Sequence, residues 1–207
     1  MKAVTAVVIT ATLLAFAGLA GAQSLSDADR EFIRKAAIGG ATEVELGTLA
    51  TQRAARPAVR DFGARMVQDH GAMNTELAAL ARSKGIAVPT ALDAQHQAVR
   101  DRLMAMQGAD FDRAYMQEMV KDHTQDVAEF EKVAQTASDP ELRTWAGAKL
   151  PTLRDHLALA RNVNSQIVLG PTAAPAAIPA AVAATPWCAG AYSNTTGTNF
   201  GACSPAK

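Results

Sequence analysis

Cysteine is all but missing from this chain. The only two, Cys188 and Cys203, fall in the last twenty residues, so no thiol catalysis is available anywhere before them. Aromatic residues are scarce as well, at 5%. An excess of one charge is also lacking, with 20 Lys+Arg against 20 Asp+Glu. A near-neutral chain offers no basic face to pair phosphates, which excludes nucleic acid as a partner. It gives no support for a polyanionic partner either. After residue 22 no stretch is apolar enough to cross a bilayer, for which about 20 consecutive apolar residues are needed. The mature chain is therefore expected to have no transmembrane span. The nucleophile elbow G-x-S-x-G, the zinc-protease motif H-E-x-x-H and any glycine-rich phosphate loop are all absent. No nucleophile–base pair is visible, so an enzyme is the less favoured class.

Residues 1–22, "MKAVTAVVITATLLAFAGLAGA", place Lys2 before an apolar run that closes on Ala20-Gly21-Ala22. A charged start, an apolar core and a small-x-small end read as a secretory signal peptide. An uncleaved anchor is the alternative, against which the shortness of the run counts. No cysteine follows the run, so lipoprotein processing is not indicated. The expected location is the periplasm or cell envelope. Without Lys2, 19 basic residues face 20 acidic ones. Beyond the folded part, an Ala/Pro-rich linker is expected at 167–186, followed by a small irregular tail at 187–207. In an oxidising compartment Cys188 and Cys203 are expected to join, closing a loop of about 15 residues worth roughly 3 kcal/mol in the chain-entropy model. Two free thiols are the alternative. The tail's protein partner is open.

Residues 23–166 carry the helical pattern. Ser26 precedes "DADREF" as an N-cap precedes an acidic first turn, and the first helix is expected over 27–54. Its apolar and small positions are Phe32, Ala36, Gly40, Gly47 and Ala50, and Glu43 bisects the one gap. Pro57 suits the first turn of a second helix whose stripe is Val59, Phe62, Met66, His70, Met73 and Leu77. Gly85 and Pro89 end it. A short helix over 92–106 holds His96, read as a surface or packing residue. Two more long helices follow, at 110–137 and from the "SDPEL" start at 138–142. The first carries Met116, Met119, His123 and Val127 on one face; the second carries Leu142, Ala146, Leu153, His156 and Ala160. Four long helices and one short one make an all-α bundle, and the small residues in the stripes imply close helix approach. Pro151 interrupts the last helix five residues before His156 and is expected to kink it, whether to swing that histidine inward or for packing.

The chain has four histidines, and three follow an aspartate directly: "MVQDH" ends at His70, "MVKDH" at His123 and "LRDH" at His156. Laying Arg60 on Arg113 gives seven identities in 22 positions, a weak internal repeat. Glu43, His70, His123 and His156 lie on the apolar stripes of four different long helices. Counted from the turns at 1.5 Å per residue, the members of each hairpin pair differ by only about 3 Å in height. The four side chains are therefore expected near mid-bundle. Three imidazoles and one carboxylate suit zinc, and a two-His-one-carboxylate subset suits iron. Met66 and Met119 stand four residues before His70 and His123, and added thioether ligands would favour copper. Asp69, Asp122 and Asp155 are candidates to orient a ring on a neighbouring helix. The alternative is a metal-free hydrogen-bonded network in the core. Di-iron bundles use Glu-x-x-His twice. Here Val67, Val120 and Leu153 occupy the glutamate position, so ferritin-type oxidase chemistry is disfavoured.

The segments "EFIRKAAIGGATEVELGTLA", "VRDFGARMVQDH", "FDRAYMQEMVKDH" and "LPTLRDHLALA" resemble the bacterial exported "domain of unknown function 4142" family over about 26–165. The resemblance implies a ferritin-like four-helix bundle in the periplasm or envelope. It also implies that Glu43, His70, His123, Pro151 and His156 stand at recurring positions of that family. The chain is similar, too, to a related exported family with Met/His-rich helices that has been linked to copper. Neither resemblance supplies an activity. The tail after 170 falls outside the family pattern.

Overall fold

The computed structural model describes residues 25–169. Five helices follow in order: α1 (Asp27–Arg53), α2 (Pro57–Ser83), α3 (Ala94–Met104), α4 (Gly108–Thr136) and α5 (Pro140–Val168). Among the described residues there is no sheet, and no helix is long and apolar enough to cross a membrane. The expected leader, the expected linker beyond 169 and the Cys188–Cys203 tail lie outside the described residues.

The helix starts follow from local chemistry. Ser26 caps α1 in a reciprocal capping box with Asp29, satisfying two otherwise orphaned backbone N–H groups. Pro57 opens α2, where its missing N–H costs nothing. Asp93 caps α3, accepting from the His96 amide at 3.0 Å, so that helix begins two residues later than expected. Asp139 caps α5 ahead of Pro140, accepting from the Leu142 amide at 2.8 Å. Helix α5 runs through Pro151, which is exposed, so the lost backbone hydrogen bond is on the solvent side.

Helices α1 and α2 pack along each other, as do α4 and α5, giving two helical hairpins. The hairpins meet through α1 against α4 and α2 against α5, with α3 resting on α1 and α4. Glycine sets the closeness of the first hairpin. A Cβ on Gly47 would stand 2.6 Å from the Gly63 carbonyl oxygen, and one on Gly63 2.7 Å from the Gly47 oxygen. Only two glycines facing each other allow that approach.

Buried aspartates hold both ends. Asp112, at the start of α4, accepts from the amides of Ala55 and Arg56 in the α1–α2 turn, both at 3.0 Å. At the other end Asp29 accepts from the amides of Ser138 and Asp139, both at 3.2 Å, and from the Ser138 hydroxyl. Lys84, just past α2, pairs with Asp139 at 2.8 Å.

The core between these ends is not continuous. One apolar cluster gathers Leu46, Phe62, Met66, Phe111, Tyr115 and Met119. A second gathers Phe32, Leu77, Phe130, Leu142 and Leu153. Between them in sequence on each long helix stands a buried polar residue: Glu43, His70, His123 or His156.

Candidate metal centre

Each of the four long helices contributes one side chain to this polar layer. The helical period carries each of them inward on the same stripe as its apolar neighbours. Glu43, His123 and His156 are 0% exposed and His70 3%. The three rings form a near-equilateral triangle, with centroids 5.5 Å apart for His70–His123, 5.3 Å for His70–His156 and 5.4 Å for His123–His156. One ring nitrogen from each lies within 4.8 Å of the others, close enough for one ion to be held by all three.

The hydrogen bonds fix the direction each ring faces. His123 Nδ1 is 3.0 Å from the Met119 carbonyl one turn back, so Nδ1–H donates there and the Nε2 lone pair points into the triangle. His70 Nε2 lies 3.4 Å from that Nε2 and is its donor. His156 Nε2–H donates to Asp69 Oδ2 at 2.8 Å, which leaves Nδ1 as a lone pair. That Nδ1 is buried without a partner. Asp69 is itself held by Arg65 at 3.2 Å. Thus the aspartate that precedes His70 on α2 orients the histidine of α5, a carboxylate–histidine pairing of the kind that supports metal ligands.

Glu43 joins the layer from the other side of His123. Its Oε1 is 4.0 Å from His123 Nδ1, and both carboxyl oxygens lack a hydrogen-bond partner among the described residues. Tyr115 Oη is likewise buried and unpartnered. Asp122 is half-buried and lies close to Glu43. Asp155 is exposed and makes no hydrogen bond or ion pair among the described residues. Met66 and Met119 are fully buried within the first apolar cluster. His96 bonds Asp93 through Nδ1 at 2.6 Å and stays apart from the triangle.

Burial sets the protonation states. It pushes His70 well below its usual value, with the neighbouring rings adding to the effect. His123 is pushed down to about 4, by burial first and His156 second. His156 is lowered by burial, although Asp69 pulls it back up. Burial raises Glu43 well above the usual carboxylate range, and Asp122 raises it further. Burial alone would raise Asp69, but its hydrogen bonds from His156 and Arg65 hold it below its usual value. Burial therefore favours the uncharged form of all four groups, three neutral imidazoles and a glutamate shifted toward its protonated form. Neutral imidazole is the form a metal ion requires.

Of the layer's supports, sequence reasoning named Asp69 and missed the rest. The bond from His123 Nδ1 to its own helix and the buried aspartate staples have no signal beyond a polar residue on an apolar stripe.

An all-α fold of two helical hairpins, with three buried histidines converging between them, defines the class. The chain belongs to the domain of unknown function family DUF4142, whose model matches residues 15–163. Among solved structures it is similar to a DUF305 fragment from Deinococcus radiodurans, seen in a crystal structure. That likeness has a TM-score of 0.61 at 15% identity and covers 69% of this chain and 98% of that one. At such identity it shows the fold alone. No curated protein matches the chain.

Proposed function

We propose that this protein is an exported, envelope-resident ferritin-like four-helix bundle that binds one transition metal ion between its hairpins, for storage, buffering or protection from metal stress. The observation that carries this reading is the fully buried His156 Nδ1. It has no partner among the described residues, and its ring offers one nitrogen within 4.8 Å of nitrogens from His70 and His123. A buried acceptor without a partner is costly, and an ion shared by the three rings would satisfy it. Three imidazole nitrogens fit zinc, copper or iron, with a position left open around the ion. In this reading Glu43 supplies the balancing negative charge, and Met66 and Met119 line the site's apolar side. The two-hairpin arrangement with one short extra helix supports the ferritin-like description. The leader at 1–22 supports export, and Cys188 and Cys203 would then close the tail.

Metal analysis of untagged protein, with thermal melts on adding zinc, copper or iron salts, tests the reading. A bound ion and a raised melting temperature are expected, and both should be lost in His123→Ala. Absence of metal and of any shift would sink it.

A second reading has its own observation. His70 bonds His123, His123 bonds the Met119 carbonyl, and His156 bonds Asp69, which are the beginnings of a metal-free core network. The protein would then be a non-catalytic interaction or structural protein of the envelope. It predicts that deleting 170–207 abolishes the protein's role while the helices stay folded.

A further inference from the structure

Two cavities lie beside the polar layer. The outer one, about 330 Å³, opens between α1, α3 and α4. Its charged lining is Glu118, Asp122, Asp126 and Glu129 along α4 and Asp93 before α3, against the cations Arg34, Lys35 and Lys121. Glu118 pairs with Lys121 at 2.7 Å and with Arg102 at 2.6 Å; Glu129 pairs with Lys35 at 3.7 Å. Asp122 and Asp126 have no cationic partner among the described residues; burial, with Asp122 and Glu129 beside it, raises Asp126 well above the usual carboxylate range, so Asp126 favours its neutral form until a cation stands against it. The fully buried, unpartnered Glu43 stands beside Asp122.

The inner cavity, about 20 Å³, is large enough for roughly one water and is bounded by His70, Asn74, Met73 and Leu153. The two cavities share four wall residues: Ala36, Gly39, Asp126 and Phe130. Gly39 contributes no side chain, and a Cβ built there would meet nothing within 4 Å. The gap between the cavities is therefore walled by a missing side chain on α1 and by a carboxylate on α4. Its inner end is a ring of the histidine triangle.

We propose that the two cavities form one access route by which a divalent cation reaches the three histidines, with Asp126 as the transfer ligand between them. This rests on the metal reading above and names the way in. A hydrated cation is too large for the inner cavity, so it must shed water where the cavities meet. A charge leaving water is costly unless a counter-charge replaces the hydration. Asp126 stands at that point and supplies the counter-charge by giving up its proton as the cation arrives, while the unpaired Asp122 outside it attracts cations to the mouth. Arg34, Lys35 and Lys121 are paired with Glu31, Glu129 and Glu118 and so oppose entry less than free cations would.

The test is stopped-flow mixing of the full chain with cobalt(II) chloride, following the visible absorption of histidine-ligated cobalt. The variants are Asp126→Asn and Gly39→Leu. The first removes the carboxylate isosterically, and the second fills the shared gap from a helical position that a leucine suits. Circular dichroism checks that both fold. Each variant is expected to slow association on the order of tenfold. Dissociation should slow in parallel and the equilibrium affinity stay at the wild-type level, because a route changes both rates together. Unchanged rates in both variants would overturn the route. So would faster release at an unchanged association rate, which would make Asp126 a ligand of the bound ion. Wild-type protein that develops no cobalt absorption would instead overturn the metal reading and the route with it.

Discussion

His156 shows how one side chain defines the centre. Its Nε2 is committed to Asp69 and its Nδ1 to nothing among the described residues, so the ring is aimed but not satisfied. Asp69→Asn removes the charge that fixes the tautomer, and metal affinity in a competition assay should fall about 10- to 100-fold. Asp155→Asn, beside the same histidine but exposed, should leave it unchanged. Glu43 makes a different prediction. A carboxyl that burial shifts toward its protonated form should ionise when a cation arrives beside it. Binding in weak buffer should thus release about one proton more from wild type than from Glu43→Gln, read by calorimetry in buffers of different ionisation enthalpy. Helical period placed the four residues on inward stripes, and height counting put them at one level. Which nitrogen of each ring faces the centre was not legible, because it depends on hydrogen bonds to the Met119 carbonyl and to a carboxylate on another helix.

At the level of helices, the close pairing of α1 with α2 depends on Gly47 and Gly63. Gly47→Ala would press a methyl against the Gly63 carbonyl, and urea denaturation should show a loss of about 1–3 kcal/mol. Asp112→Ala leaves two turn amides without their acceptor and should cost roughly 1–3 kcal/mol by the same measurement. The helices themselves could be read with little error, since Ser26, Pro57, Gly85 and Asp139 are start and stop signals with a local mechanism. The aspartate staples could not. Asp29 binds groups more than a hundred positions away, and nothing near it in sequence announces that.

For the whole molecule, the centre makes stability depend on pH. The histidines have folded values below their unfolded ones, so the unfolded chain takes up protons first as pH falls. In metal-free protein the stability they contribute is complete above about pH 6.5 and is lost toward about pH 4, on the order of 3 kcal/mol for His123. His70 and His156 act in the same direction. Glu43 acts oppositely: its folded value is raised, so its contribution is complete below about pH 4.5 and declines as pH rises. Melts with a chelator should therefore show a steep acid-side loss, and Glu43→Gln should be the more stable protein at pH 7.

The polar layer also divides the interior into two apolar blocks, each reaching an end stapled by its own aspartates. Nothing apolar runs unbroken from one block to the other, so the two can open as separate cooperative units. Native-state hydrogen exchange of metal-free protein should sort the amides of each long helix into two groups, split near residues 43, 70, 123 and 156, with different opening energies. An ion bound at the divide would belong to both blocks at once. Loaded protein should then exchange as a single unit, making the metal the link that turns two half-cores into one.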